Sequence, residues 1–160
     1  MDYDIADDGS TVRMRGRLSE DSDLTGLAAR LQQHAGTVTI DLSAVTRINS
    51  CGAREWLNFV RVVPEKVQLV LDKCPVAFVN YLNMISNFAG RATVRSVFVP
   101  YLCERCNEIT ELLAVLGEER LPPREEVLCR SCSRPMELDL HEEQYFLFRV
   151  RPPHPGGAAP

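Results

Sequence analysis

The stretch Thr37-Val-Thr-Ile-Asp-Leu-Ser-Ala-Val-Thr-Arg-Ile-Asn-Ser-Cys-Gly52 decides the fold of this chain. Residues 37–42 are rich in β-branched side chains and predict a strand, and residues 45–48 predict a further short strand after a turn. A helix is predicted to begin at 50–52 and to end at Pro64, because apolar residues then recur every three or four positions. A strand that leads directly into an amphipathic helix is typical of α/β proteins.

The alternation of strands and helices continues toward the N-terminus. Residues 11–18 alternate apolar side chains with arginines and predict a half-buried strand. Residues 3–6 predict a short strand that pairs with it across a turn. Before the quoted stretch we expect a helix that is capped by Ser22 or Asp23 and stopped by Gly36.

The same alternation extends toward the C-terminus. Residues 67–71 form an almost continuous apolar run, as expected for a central strand. Pro75 opens a third helix that Gly90 ends, and residues 93–99 predict the last strand. The resulting order, β-β-α-β-α-β-α-β, predicts an α/β fold: a mixed sheet with right-handed crossovers and helices on its faces.

The charge distribution divides the 160-residue chain near Pro100. The chain has 18 Lys+Arg and 22 Asp+Glu, and residues 101–160 hold 7 of the former and 11 of the latter. The whole net charge of −4 therefore lies in that part. We expect an α/β domain over 1–99, a small C-terminal unit over 100–150 and a disordered tail over 151–160, since the tail lacks large apolar side chains.

Composition also disfavours several classes of protein. An acidic chain is a poor candidate for nucleic-acid binding, which relies on basic patches. No apolar run approaches the roughly 20 residues that span a bilayer, and the acidic N-terminus predicts no signal peptide. Six cysteines in such a chain predict a cytoplasmic protein with thiols or metal thiolates rather than disulfides.

The residues from Ile40 to Gly52 resemble the signature of STAS domains, which are named after sulfate transporters and anti-sigma factor antagonists. In that family a strand ending in Asp-Leu-Ser is followed by a connector and then by Asp-Ser-Ser/Thr-Gly at the start of a helix. Cys74-Pro75 at the start of the third helix and Asn87-Phe88 at its end also fit this family. The resemblance covers roughly residues 2–99. It implies a STAS-like mixed sheet and a non-catalytic regulatory function.

The resemblance also implies a docking site for a protein partner, either a kinase-like anti-sigma factor or another signalling protein. In the family, a Ser or Thr directly before the glycine is phosphorylated, and the added charge decides whether the partner binds. Here that position is Cys51 and the leading acidic position is Asn49, so we expect that the phosphorylation switch is lost. Ser50 is expected to be the helix N-cap. The predicted partner-binding residues are Asn49, Ser50, Cys51, Gly52, Arg54 and Glu55.

Cys51 allows two interpretations. A thiol at a helix N-terminus can acquire a lowered pKa, and the chain could then be a redox or thiol enzyme. Because no second cysteine is adjacent and no histidine lies within ten residues, we expect instead a half-buried thiol in the place of the serine. Cys74 and Trp56 are predicted to be core residues. A structural subunit of a larger assembly is the remaining alternative for the function.

Two Cys-x-x-Cys pairs in the C-terminal part predict a structural zinc site. Cys103 and Cys106 are separated from Cys129 and Cys132 by 22 residues, and two such pairs can complete a tetrahedral shell of four thiolates. The same pairs could in principle be redox-active, but neither lies between a strand and a helix as in a thioredoxin fold. A catalytic zinc would need an open coordination position, which four cysteines do not leave.

The segments around the cysteines predict a zinc ribbon. Residues 109–116 are strand-like, residues 117–126 form a loop, and apolar side chains alternate with acidic ones over 136–140. Tyr145, Phe146 and Phe148 predict a final apolar anchor in a short helix or strand. Because so small a unit has little core, we expect one zinc ion to supply much of its stability. Its acidic charge favours contact with protein over nucleic acid.

Overall fold

The computed structural model describes residues 1–6, 9–117 and 127–149. They form a five-stranded mixed sheet with helices between its strands (sheet A) and a three-stranded antiparallel sheet (sheet B), which confirms the predicted α/β class. The first part contains β1 (Asp2–Ile5), β2 (Thr11–Leu18), α1 (Thr25–Leu31), β3 (Gly36–Ile48), α2 (Ser50–Val62), β4 (Val67–Asp72), α3 (Val76–Met84) and β5 (Thr93–Val94). The second contains β6 (Ser96–Cys103), β7 (Glu108–Val115), β8 (Glu137–Leu138), α4 (Glu142–Tyr145) and a 3-10 turn at Leu147–Arg149.

The strands of sheet A follow the order β1-β2-β3-β4-β5. β1 and β2 form an antiparallel hairpin, whereas β2, β3, β4 and β5 are mutually parallel. Parallel neighbours need crossover connections, and α1, α2 and α3 supply them. The predicted order of elements is thereby confirmed as far as β5.

The alternation in β2 produces the predicted two-sided strand. Val12 and Met14 are buried in the core, whereas Arg13, Arg15 and Arg17 are exposed on the opposite side. Trp56 lies at the centre of the same core, as predicted, fully buried and with its indole N–H donating to the Phe88 carbonyl at 2.8 Å. Its ring packs edge-on against Phe78, with the ring centroids 5.1 Å apart.

β3 is one strand of 13 residues, so the prediction of two strands separated by a turn is wrong. The pairing of β2 with β3 shifts register twice, between Arg13 and Arg15 and between Gly16 and Arg17. The extra residues of β3 form bulges that bend the strand without ending it. At the first bulge, the Asp41 side chain accepts a hydrogen bond from the Ser43 backbone N–H at 3.0 Å. It also forms an ion pair with the Lys73 ammonium group at 2.8 Å.

The predicted boundaries of α1 and α3 differ from the structure. The N-cap position of α1 is Leu24, so neither Ser22 nor Asp23 is the N-cap. Ser22 instead accepts a hydrogen bond from the Ser19 backbone N–H. Gly36 does not stop α1, which ends at Leu31; it begins β3 in a left-handed backbone conformation that favours glycine. In the same way, α3 ends at Met84, and a series of turns reaches the predicted end at Gly90.

The predicted last strand, residues 93–99, is divided between the two sheets. β5 is only two residues long, and β6 begins at Ser96 in sheet B. β6 then continues through Pro100, so the predicted boundary between the two parts lies within a strand. A parallel bridge between Cys74 and Val97 joins the sheets, with the Cys74 backbone N–H donating to the Ser96 carbonyl at 3.0 Å. Cys74 is fully buried, as predicted, and burial raises the pKa of its thiol.

The C-terminal aromatic anchor forms as predicted. Tyr145 is buried, and its hydroxyl donates to the Phe98 carbonyl at 2.5 Å. Asn83, on α3, donates to the Tyr145 carbonyl and accepts from the Phe148 backbone N–H, both at 2.9 Å. α4 and the following turn therefore attach to both α3 and β6. Residues 118–126 of the predicted loop and the predicted tail over 151–160 lie outside the described residues.

Candidate functional site

The four cysteines of the predicted metal site converge on one point. Their Sγ atoms all lie within 4.8 Å of one another, and those of Cys103 and Cys132 are 3.6 Å apart. Four thiolates around zinc, with Zn–S bonds of about 2.3 Å, place neighbouring sulfurs about 3.8 Å apart. The sulfur positions therefore fit a tetrahedral metal ion. The cluster, Cys103, Cys106, Cys129 and Cys132, could bind a metal ion, as the spacing predicted.

Two similar turns present these sulfurs. Cys103 ends β6, and the backbone N–H of Asn107 donates to its carbonyl at 2.7 Å. Cys129 begins the second turn, and the backbone N–H of Ser133 donates to its carbonyl at 2.8 Å. Asn107 and Ser133 both have positive φ, which lets the chain reverse directly after the second cysteine of each pair. Each Cys-x-x-Cys pair is thus held in a compact turn.

The thiols of the cluster differ in acidity. Hydrogen bonds from the Arg134 backbone N–H and, to a smaller extent, from the Cys106 thiol lower the pKa of Cys132 to about 7. The pKa of Cys106 is raised to about 12, first because its thiol donates to Cys132. Burial raises the pKa of Cys129 as well. Since further thiolates would repel the first, full ionisation needs a cation at the centre.

Glu108, the first residue of β7, contacts the cluster from outside the predicted ligand set. Its Oε2 atom accepts hydrogen bonds from the Ser131 hydroxyl at 2.7 Å and from the Cys129 thiol at 3.3 Å. These bonds, that of Ser131 above all, hold the pKa of Glu108 below its usual value. Sequence reasoning missed this residue, because an acidic side chain two positions after a cysteine has no distinctive pattern.

The predicted docking residues lie where β3 leads into α2. We name residues 49–55 the docking turn. Asn49 is the N-cap of α2: its side-chain oxygen accepts from the Gly52 backbone N–H at 2.8 Å. The prediction that Ser50 is the N-cap is therefore wrong. Ser50 is already the first residue of α2, so its hydroxyl is one position beyond the N-cap.

Asn49 also connects the docking turn to the loop after β2. Its side-chain amide donates to Glu20 at 2.7 Å, and its backbone N–H donates to the Leu18 carbonyl at 3.1 Å. The hydrogen bond from Asn49 is the main cause that holds the pKa of Glu20 below its usual value. Asn49 therefore attaches the start of α2 both to the helix, through Gly52, and to the end of β2, through Leu18 and Glu20.

Gly52 makes the closest backbone approach in the docking turn. It is buried, and a Cβ atom at this position would lie 2.1 Å from the Leu18 carbonyl oxygen and 2.6 Å from the Ser19 nitrogen. No side chain fits at those distances. The glycine of the quoted stretch is thus required by the contact between α2 and the end of β2.

The other predicted docking residues differ in exposure. Asn49, Ser50 and Arg54 are exposed, whereas Cys51 and Glu55 are half-buried, as predicted for the Cys51 thiol. Arg54 lies 3.7 Å from Glu55, and both groups are accessible enough for solvent to weaken this ion pair. The docking turn therefore presents amide, hydroxyl and guanidinium groups to solvent around a partly covered thiol.

Replacing Asn49 by alanine is expected to lower the free energy of unfolding by about 1 kcal/mol, because the Gly52 N–H loses its acceptor. Urea unfolding of the full chain measures the change. Ser50→Ala is the matched control and should change stability by less than about 0.5 kcal/mol, since Ser50 is exposed and is not the cap. A larger loss for Ser50→Ala than for Asn49→Ala would contradict the assignment of the cap.

Comparison of the chain with family models, curated proteins and solved structures finds no match. None of the helices within residues 1–6, 9–117 and 127–149 has the length and apolar character needed to cross a membrane.

Proposed function

We propose that this chain is a non-catalytic regulatory module that resembles the anti-sigma factor antagonists and binds a protein partner through its docking turn. The observation that carries this proposal is the construction of that turn. Asn49 caps α2 and bonds to the neighbouring loop, and Gly52 packs against Leu18, so the backbone of the docking turn is held in one arrangement. A preorganised surface loses little conformational entropy when it binds.

The proposed partner is a kinase-like anti-sigma factor or another signalling protein. The resemblance to STAS domains supports this choice, because their phosphorylated residue occupies the position of Cys51. A thiol at this position carries no phosphate charge, so the module corresponds to the binding-competent state at all times. The proposed location is the cytoplasm, where a Cys-rich chain keeps its thiols.

The C-terminal part is proposed to be a zinc ribbon with one structural zinc ion. Its support is the geometry of the four sulfurs at the end of sheet B. When bound, zinc would neutralise the thiolates and join the two turns. Four cysteine ligands fill a tetrahedral shell, and for this reason we assign the ion a structural rather than a catalytic role.

Replacing Cys51 by aspartate is expected to weaken partner binding about tenfold or more, which corresponds to about 1.4 kcal/mol. The new carboxylate would have to lose its water at the interface, unless the partner supplies a cation. The partner is first identified by affinity purification from the native cell and mass spectrometry. Isothermal titration with the purified partner then measures the affinity.

Two variants serve as controls for this experiment. Cys51→Ser keeps a small neutral group and should leave the affinity nearly unchanged. Asn58→Asp introduces the same charge at an exposed position of α2, outside the docking turn, and should also have little effect. Equal affinities for the wild type and Cys51→Asp would show that the partner binds elsewhere. A partner that remains bound in constant stoichiometry would instead favour a structural subunit of an assembly.

A further inference from the structure

The arginines of β2 form a basic stripe on the side of this strand that faces away from the core. Arg13, Arg15 and Arg17 alternate with residues that face the core, so their side chains share one side of sheet A, and all three are exposed. Arg47 joins them from β3, because it is the partner of Arg17 in the register of the two parallel strands and is also exposed. We name Arg13, Arg15, Arg17 and Arg47 the basic stripe.

Two of these arginines lie directly opposite each other. Arg17 and Arg47 are partners on neighbouring strands, which are about 5 Å apart. Like charges at opposite positions are destabilising, although solvent and salt weaken the repulsion. The hydrogen bond from Asn49 above all, and the charge of Arg17 to a smaller extent, lower the pKa of Glu20, so this carboxylate is near Arg17 but is bound to Asn49. Neither Arg17 nor Arg47 forms an ion pair with a residue that the structure describes.

The acidic residues beside the other end of the stripe are engaged by other cations. Arg13 lies between Asp4 and Asp41 in the register of sheet A. Asp4 forms an ion pair with Arg15, and Asp41 forms one with Lys73 at 2.8 Å. The bond to Asp41 raises the pKa of Lys73, and the nearby charge of Arg13 acts against this rise. Positive charge is therefore in excess at both ends of the stripe.

We propose that the basic stripe binds an acidic segment of a partner protein, with one carboxylate at each end of the stripe. Guanidinium groups bind carboxylates through paired N–H donors, so a carboxylate between Arg17 and Arg47 replaces a repulsive contact by two attractive ones. Arg13 is four residues from Arg17, which corresponds to about 13 Å along a strand. An extended segment with acidic side chains at every fourth position spans the same distance.

The surroundings of the stripe favour separate carboxylates over a polyphosphate or a small anion. Asp2 and Asp4 on β1 border the stripe on one side, and Asp41 borders it on the other. A nucleic acid has a phosphate at every nucleotide, so its backbone would have to pass these carboxylates, and the net charge of −4 adds to the repulsion. Small ligands are mostly bound in concave sites, whereas the stripe lies on an exposed sheet surface. A protein segment whose acidic residues are spaced by neutral ones avoids both difficulties.

This surface lies outside the docking turn, and its proposed role does not depend on the partner that binds there. It gives Arg17 and Arg47 two opposite effects. Their mutual repulsion lowers the stability of the free chain, and their charges attract the acidic segment. Such a cost in stability is common where residues serve a function.

Removing one charge of the opposed pair is expected to stabilise the free chain, measured with zinc bound. Arg17→Gln and Arg47→Gln should each raise the melting temperature by about 1–3 °C, because the repulsion disappears. The gain should shrink at high salt, where the repulsion is already screened. The double variant should gain little more than either single variant. Arg30→Gln removes the same charge from an exposed position of α1 and should give no gain.

Binding is measured by fluorescence anisotropy with a labelled peptide that has glutamate at every fourth position among glycine and serine residues. The wild type should bind it at least about tenfold more tightly than the same peptide with glutamine. The double variant of Arg17→Gln and Arg47→Gln should lose about tenfold in affinity for the glutamate peptide. The matched control combines Arg30→Gln and Arg61→Gln, which remove two exposed charges from α1 and α2, and should change the affinity less than about twofold.

Three outcomes would overturn the proposal. Equal affinities for the glutamate and glutamine peptides would show that the stripe does not recognise carboxylates. Equal losses in the two double variants would show that net charge, and not the stripe, governs binding. A single-stranded oligonucleotide that binds through Arg17 and Arg47 more tightly than the glutamate peptide would assign the stripe to nucleic acid instead.

Discussion

The substitution Gly52→Ala is expected to lower the free energy of unfolding by about 3 kcal/mol or more. An added methyl group would lie 2.1 Å from the Leu18 carbonyl oxygen and 2.2 Å from the Leu18 carbonyl carbon. Both atoms belong to the backbone of β2, which pairs with β1 and β3 and cannot move away without breaking those pairs. Chemical denaturation followed by circular dichroism measures the loss.

Gly26→Ala provides the matched control. Gly26 lies in α1, and the nearest atom to an added Cβ is the hydroxyl oxygen of Tyr3 at 3.0 Å, at the end of a side chain that can rotate. Alanine is also the better helix former, so this variant should stay within about 1 kcal/mol of the wild type. Equal stability for Gly52→Ala and the wild type would mean that α2 does not pack against β2 as described.

The second large effect is expected at the cysteine cluster. Purified protein should contain about one zinc ion per chain, and Cys129→Ser should lose that ion together with the ordered structure of residues 127–138. The ion joins the two turns, and without it their connection depends on the hydrogen bonds to Glu108 and on the two-residue pairing of β6 with β8. Native mass spectrometry measures the metal content, and hydrogen exchange locates the loss of structure.

Cys51→Ser is the control for the metal experiment, because Cys51 is a cysteine outside the cluster. It should retain the zinc and the protection of sheet B. A folded chain without metal, or a disulfide between any two of the four cysteines, would contradict the proposed site. Hydrogen exchange in β2, β3 and β4 should change little in Cys129→Ser, since β8, the strand within residues 127–138, pairs with β6 and not with them.

Local patterns were sufficient for the elements whose side chains repeat regularly. The alternation in β2, the apolar positions of α2 and the spacing of the two Cys-x-x-Cys pairs each follow from a short stretch of sequence. The same holds for the C-terminal aromatic anchor, because Tyr145 and Phe146 lie in an otherwise polar segment. In these cases the local sequence pattern alone predicts which side chains are buried or brought together.

The features that sequence reasoning missed depend on contacts between distant residues. β3 continues through Ser43 because its bulges match the register of β2, and nothing within 37–48 signals this. Asn49 and Ser50 are both common caps, and the hydrogen bonds to Leu18 and Glu20 decide between them. The division of residues 93–99 arises because Val97 pairs with Cys74. These choices are made by tertiary pairing rather than by local preference.

The continuity of β6 has a consequence for dissecting this protein. A fragment that ended at residue 99 would carry only half of a strand. Its fully buried residues Val97 and Val99 would lose their pairing with β7, and the Phe98 carbonyl would lose the hydrogen bond from Tyr145. A fragment that began at residue 100 would lose the strand segment that meets Cys74. A division between residues 99 and 100 therefore removes native contacts from both fragments. Fragments for expression should therefore keep Cys74 and the whole of β6 on one chain.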